Sequence, residues 1–221
     1  MSNVLSIGKS ALNAAQVGIA TVGHNIANAS TPGYSRQVMV QAAAQSQNFG
    51  YGYVGQVTNV VAIQRVYNDT LAKQMINATS TSSASNAYFS NISQINNLLS
   101  DSTAGLNPVI SSFFKSVSAA AANPSDTATR QTMISSAQSM VNRFNAINSQ
   151  LDAMRETINT QITVSVSMIN SYASQIAALN STISKAINST GNPPNDLMDQ
   201  RDQIIAKLSE NVQTSIIKQD D

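Results

Sequence analysis

Residues 137–190 read AQSMVNRFNAINSQLDAMRETINTQITVSVSMINSYASQIAALNSTISKAINST. Apolar or small residues recur at Met140, Phe144, Ile147, Leu151, Met154, Ile158, Ile162, Ser165, Ile169, Tyr172, Ile176, Leu179, Ile183 and Ala186. Every step is three or four residues, and the two alternate except for one 4-4 pair around Ile158. A repeat near 3.5 is what an α-helix shows a partner along one face. The 4-4 pair is a stutter, which locally relaxes left-handed supercoiling. Neither Gly nor Pro interrupts the run before Gly191-Asn192-Pro193-Pro194. The spacing predicts one helix over residues 127–188, on the order of 90 Å long. Such a rod cannot bury its stripe on itself; it needs other helices of this chain, other chains, or both. Phe144, Leu151, Ile158, Ile169, Ile176 and Leu179 are expected in the core of that bundle. Their mixed sizes suit unlike partner helices, and truncating Phe144 to Ala is expected to cost about 3–5 kcal/mol if it is buried.

Outward from this run, further helices are expected. Residues 196–211 carry Leu197, Arg201, Ile204, Ile205 and Leu208 on one side. Beyond them Val212, Thr214 and Ile216 alternate with polar residues as a strand does. A strand that stops at Asp221 would leave an unpaired edge, so this chain is expected to be the N-terminal part of a longer protein. On the other side, residues 108–122 carry Ile110, Phe113, Phe114 and Val117, and Asn123-Pro124-Ser125-Asp126 breaks the pattern. A longer helix opens at Asn68 or Asp69, either of which can cap it. Its stripe is Leu71, Met75, Ala78, Ser82, Ser85, Phe89, Ile92, Ile95 and Leu99. The spacing continues through residues 79–85, which are almost all Ser and Thr, so a polar helix is expected there rather than a linker.

The N-terminal stretch has its own heptad seam: Leu5, Leu12, Ile19 and Ile26 in one position, Gly8, Ala15, Val22 and Ala29 in the other. The second position is mostly small and admits a closely approaching partner helix. Gly8, Gly18 and Gly23 each lower intrinsic helicity by about 1 kcal/mol relative to Ala, so this helix is expected to be poorly ordered alone. Thr31-Pro32-Gly33-Tyr34 stops it, with Pro-Gly suited to the centre of a type II turn. Val38 and Val40 then alternate with Gln37, Met39 and Gln41, and residues 57–66 also look extended.

Composition narrows the function. Of 221 residues, 10% are charged, where an ordinary globular domain has about 25%. Net charge is +1, which offers no electrostatic footprint for nucleic acid or an anionic membrane. There is no Cys, so disulfides, thiolate metal sites and thiol catalysis are excluded. No stretch has the roughly 18 apolar residues of a membrane span, and the N-terminus lacks the pattern of a cleaved signal peptide. Gly50-Tyr51-Gly52-Tyr53-Val54-Gly55 matches a dinucleotide fingerprint, but no buried strand precedes it and no helix follows, so a flexible or hairpin loop is expected. Gly8-Lys9-Ser10 resembles the end of a phosphate loop, yet Asn3 stands where its first Gly belongs. His24 is the lone His and lies between Val22 and Ile26, which points to a helix face or interface, not to catalysis or zinc. Asp196, Asp199, Asp202 and Glu210, with Arg201 and Lys207, are expected to complement a helix N-terminus and form surface pairs. No catalytic, cofactor-binding or metal-binding residue is assigned.

Residues 25–34, Asn-Ile-Ala-Asn-Ala-Ser-Thr-Pro-Gly-Tyr, follow the heptad helix and resemble the N-terminal signature of flagellar rod, hook and hook-associated proteins. Tyr67-Asn68-Asp69-Thr70-Leu71, Phe113-Phe114, Asn123-Pro124, Ile176-Ala177-Ala178-Leu179-Asn180 and the Asp196-Leu197-Met198-Asp199-Gln200-Arg201-Asp202 helix are similar to the hook-associated branch of that family. The resemblance runs through the whole chain in order. It implies a secreted, extracellular structural subunit of the bacterial flagellum at the junction between hook and filament, without enzymatic activity or cofactor. It implies partners as well: copies of itself, the hook protein, a second hook-associated junction protein, and the export chaperone and export apparatus, but no nucleic acid and no membrane. In such a tube Leu5, Gly8, Leu12, Ala15, Ile19, Val22 and Ile26 would form the assembly interface. Asn25, Asn28, Thr31, Pro32, Gly33 and Tyr34 would form the turn between layers.

The fold class expected is all-α, in four segments: residues 1–34 the terminal helix and turn, 35–66 an extended connector, 67–211 an elongated helical bundle, and 212–221 the start of a β-rich domain. Two rival classes are weaker. A coiled-coil component of a related injection apparatus would not need the signature at residues 25–34. A cell-wall hydrolase would need a paired-carboxylate cleft in a folded domain.

Overall fold

The computed structural model describes residues 2–48, 50–55, 57–103 and 105–217. Among them the elements are α1 (Ser2–Ala27), β1 (Gln37–Ala43), β2 (Gln47–Asn48), β3 (Tyr53–Val54), β4 (Thr58–Arg65), α2 (Asp69–Ser100), α3 (Leu106–Ala122), α4 (Thr127–Thr190) and α5 (Asn195–Ser209). The chain is mainly α, as expected. Phe49, Gln56, Ala104 and residues 218–221, on which parts of the expected loops and of the β-rich start fall, lie outside the described residues.

Two compact units form: Met1–Ser80 with Ile169–Asp221, and Thr81–Met168. This division cuts across the four segments expected from the sequence. The terminal helix, the connector and α5 share the first unit, and α2 and α4 each contribute to both.

Local chemistry sets the helix ends. Asn68 Oδ1 accepts the Leu71 N–H at 3.1 Å, and Asp126 Oδ1 accepts the Ala128 N–H at 2.9 Å, each satisfying an orphan donor of a first turn. α4 stops at Gly191, which takes φ +68° and returns its N–H to the Ile187 carbonyl at 2.8 Å. Along α4 the hydroxyls of Thr157, Thr160, Thr163 and Thr182 donate to carbonyls four residues back. A helix this rich in Thr therefore satisfies its hydroxyls internally.

In the first unit the connector is a two-stranded antiparallel ribbon, β1 against β4, with Gln37 opposite Arg65 and Ala43 opposite Thr58. A bulge between Val40 and Gln41 shifts the register. β2 and β3 pair as a small hairpin whose turn includes Gly50 at φ +84° and Gly52 at φ +147°. The glycine-rich motif is thus the tip of a hairpin, with a backbone that a side-chain-bearing residue rarely adopts.

The α4 stripe is largely the covered face. Ile147 and Ile183 are buried, while Ile158, Ile169, Ile176 and Leu179 are half-buried. Two expected core residues are not core: Phe144 is 46% exposed and Leu151 is also exposed, as is Ile162 of the same stripe. In the second unit α3 meets α4 where Ser136 Oγ donates to Ser116 Oγ at 2.7 Å, and α2 residues Asn91 and Gln94 share a groove with Ala153, Met154, Thr157, Ile158 and Gln161 of α4. Pairwise helix packing of this kind covers the centre of a stripe and leaves its margins wet.

Three more expectations change. The α2 stripe is rotated: Leu71, Met75, Ser82, Ser85, Phe89, Ile92 and Leu99 are exposed, and the covered positions are Ala72, Ile76, Thr79, Ser80, Ser83, Asn91, Ile95 and Leu98. On α3 Ile110, Phe113 and Val117 are covered as expected, with Ser116 and Ala120 buried, while Phe114 faces out. Val212, Thr214 and Ile216 form no strand, because a lone extended segment has no ladder to join and none of the described residues pairs with them.

Candidate functional site

α1 presents two faces with different chemistry. Ala14 and Thr21 are buried on the face toward the ribbon, where α1 meets β1 and β4. A Cβ added at Gly18 would sit 3.5 Å from Met39 Cε, ordinary van der Waals contact, which places Gly18 on the face turned to β1. The ribbon thus supplies the partner that this glycine-bearing helix needs. The opposite face is the expected seam: Leu5, Gly8, Leu12, Ala15, Ile19, Val22 and Ile26 are all exposed, Leu12 at 68% and Ile19 at 73%.

The signature residues close the inward face with a hydrogen-bonded clamp. Asn25 holds the Gln37 backbone with both ends of its amide: Oδ1 accepts the N–H at 2.8 Å and Nδ2 donates to the carbonyl at 2.8 Å. That pairing fixes which amide atom is oxygen. The Tyr34 hydroxyl therefore donates to Asn25 Oδ1, at 2.6 Å. Its one proton is used there, so the 3.0 Å contact with His24 has Nδ1–H donating to the Tyr34 oxygen. The two rings meet edge-on with centroids 5.5 Å apart. Asn28 Nδ2 donates to the His24 carbonyl at 3.0 Å, and Thr31 Oγ1 to Asn28 Oδ1 at 3.3 Å. The turn closes with the Tyr34 N–H on the Thr31 carbonyl at 3.2 Å, and Gly33 at φ +79° supplies the conformation expected after Pro32.

α5 locks this turn to the ribbon. Asp199 Oδ2 accepts the Ser35 N–H at 2.8 Å, and its Oδ1 accepts from Arg65 Nη1 at 2.6 Å. The same Nη1 donates to Asp202 Oδ2 at 2.9 Å, while Arg201 holds Asp202 Oδ1 through Nε and Nη2. Asp196 Oδ1 accepts from Gln37 Nε2 at 2.8 Å, and its Oδ2 lies 3.8 Å from His24 Nε2. Asn195 Nδ2 donates to the Ile63 carbonyl, and Gln203 Nε2 to the Pro32 carbonyl. A Cβ on Gly33 would come within 3.2 Å of the Gln203 side chain, so a second constraint keeps that position glycine.

The ribbon register makes the clamp. Gln37 and Arg65 are direct partners and so share one face; a slip by one residue would turn Arg65 away from α5. The Arg65 and Asp199 side chains keep 7% and 8% of their exposure, so this ion pair is buried. Burial by itself would lower the Arg65 guanidinium, but hydrogen bonds to Asp199 and Asp202 outweigh it and hold the group above its ordinary value, fully charged. Its guanidinium lies 4.6 Å from the centre of the Tyr67 ring. Burial first, then the Asp196 and Asp199 carboxylates, raises the Tyr34 phenol; burial and Asp202 raise that of Tyr67 against the pull of Arg65.

The acidic residues of α5 thus differ from the expected surface pairs. Asp199 and Asp202 lie on one helix face, as their spacing indicates, but their main partner is Arg65. That residue carried no signal, because its partners lie 134 and 137 positions away in sequence. Ser35, Gln37, Asn195 and Gln203 were silent for the same reason. Among the described residues no cluster of His, Asp or Glu is arranged to hold a metal ion, and every polar atom of the clamp named above is engaged within the protein.

Comparison with known proteins gives the same reading of the motifs. Residues 92–221 match the family described as the flagellar hook-associated protein FlgK helical domain, and residues 5–34 match the flagella basal body rod protein family. Flagellar hook-associated protein 1 of Salmonella typhimurium is 37% identical over 221 residues, covering 100% of this chain and 40% of that protein. The Escherichia coli protein of that name is 36% identical over the same span. The Bacillus subtilis one is 29% identical over 220 residues, 96% of this chain and 43% of that protein. The chain spans about two fifths of the length of these curated relatives. With its helical domain matched over more than half its residues and the rod-type signature built into a folded clamp, this chain belongs to the flagellar hook-associated protein FlgK family.

Proposed function

We propose that this chain is part of a structural subunit that packs side by side with its copies into the tubular junction between the flagellar hook and the filament. The observation that carries this reading is the outward stripe of α1, an unbroken heptad of apolar and small residues left exposed, while Ala14, Thr21 and Asn25 on the other face are covered. On α2, Leu71, Met75, Phe89, Ile92 and Leu99 are exposed as well. Surfaces of this kind mark protein contacts. The role is mechanical, not enzymatic: the Asp199 and Asp202 carboxylates are held by Arg65, Arg201 and the Ser35 N–H. Family membership supports the remaining partners, namely the hook protein, the second hook-associated junction protein, and the export chaperone and apparatus that would deliver the subunit outside the cell.

The test is Leu12→Asp with Ile19→Asp in the complete protein, in cells. Both side chains are exposed, so the fold and export are expected to be unchanged, while filament attachment and swimming are lost. Normal swimming with the doubly substituted protein would overturn the assignment.

A further inference from the structure

Within the second unit, α2 is weakest where it is least covered. Residues 81–86 are Thr-Ser-Ser-Ala-Ser-Asn, and every residue over 84–90 is exposed, on all sides of the helix. Ser, Thr and Asn rank well below Ala as helix formers, since their side chains compete for nearby backbone groups. α4 has a matching stretch. Residues 159–167 are Asn-Thr-Gln-Ile-Thr-Val-Ser-Val-Ser, mostly β-branched or hydroxyl-bearing, and in it Ser165 alone is half-buried. The apolar stripe also fails here: the stutter falls at Ile158 and Ile162, Ile162 is 55% exposed, and Ser165 takes the next place.

One groove joins the two helices beside these stretches: Asn91 and Gln94 of α2 line it with Ala153, Met154, Thr157, Ile158 and Gln161 of α4. Each weak stretch comes within a few residues of that groove along its helix, whereas Ile147 of α4 is buried and Ile95 of α2 is half-buried.

We propose that residues 81–86 of α2 and 159–167 of α4 form a soft section of this unit, in which both helices open and bend locally while their flanks stay helical. The section would let the helix pair follow a changing neighbour without disturbing the clamp. Hydrogen exchange on the complete protein, corrected for intrinsic sequence rates, tests this. Amides at 82–87 and 163–168 are expected to exchange at least about tenfold faster than those at 92–98 and 147–156. Replacing the exposed Ser82, Ser85 and Asn86 by Ala is expected to slow residues 82–87 by about tenfold, the sum of three gains in helix propensity, and to leave 147–156 unchanged. Thr163→Ala with Val164→Ala does the same at 163–168. Uniform protection along both helices, or substitutions that slow flanks and section alike, would overturn the proposal.

Discussion

The clamp and the apolar stripe meet on α1, yet they hold opposite kinds of chemistry. At the clamp, Asn25, Tyr34, Arg65 and Asp199 are polar, largely covered and matched donor to acceptor at 2.6–2.8 Å. Along the stripe, Leu5, Leu12, Ile19 and Ile26 are apolar and exposed. Hydrogen bonds and buried ion pairs are directional, so they define one geometry and forbid others. Apolar burial is non-directional but large, about 1.5–3 kcal/mol for each such side chain covered. An internal joint needs the first property and an assembly surface the second. The clamp sets the angle at which α1 leaves the ribbon, and that angle presents the stripe.

The comparison breaks hardest at Asp199. Asp199→Ala removes the acceptor of Arg65 and of the Ser35 N–H and leaves a buried guanidinium short of a partner. A cost of about 3–5 kcal/mol is expected, as for other broken buried pairs. Urea denaturation monitored at α1 would show it, with the stripe itself untouched; a loss below about 1 kcal/mol would mean the ion pair is solvated and the clamp is not the joint.

A smaller effect sharpens the contrast between covered and uncovered apolar residues. Ile147 is 4% exposed and Phe144 is 46% exposed on the same face of α4. Ile147→Ala is expected to cost about 2–5 kcal/mol in the isolated chain, and Phe144→Ala no more than about half of that. The larger cost at Phe144 expected from the sequence requires a neighbour that the described residues do not supply. If Phe144→Ala is the more damaging change in a proven monomer, the covered face has been misidentified.

The smallest expected effect is on pH. The phenols of Tyr34 and Tyr67 are both raised in the fold, Tyr34 by burial and then Asp196 and Asp199. A raised folded value means that the stabilisation is fully present below the ordinary tyrosine value near 10 and is lost as pH climbs through the folded value. Denaturation midpoints between pH 8 and 11 should hold steady and then fall, and Tyr34→Phe should flatten the fall. An unchanged slope in that variant would show that Tyr34 is not part of the linkage.

Much of this was legible in one dimension. The limits of all five helices fall within a few residues of their expected places, because caps, Gly and Pro act locally: Asn68, Asp126, Gly191 and Gly33 each do what their position suggests. The α1 seam was visible as a heptad and is found on one face. The facing of α2 was not, since the expected stripe and the covered one lie about one residue apart and neither is strongly apolar. Packing decided between them, and it covered Ile76 and Ser83 instead of Met75 and Ser82.

The sequence by itself determined the helices, the hairpin tip at Gly50 and Gly52, and the identity of the turn at residues 31–34. All of these follow from backbone sterics and from periodicity over neighbouring residues. Tertiary structure alone decided that Asp199 and Asp202 meet Arg65, that Asn25 grips the Gln37 backbone, and that Phe144 faces out. A buried charge needs a partner somewhere, but nothing local says which. The choice of Arg65 came from the register of β1 on β4 and the placement of α5 against it, a long-range geometry that spacing along the chain does not encode.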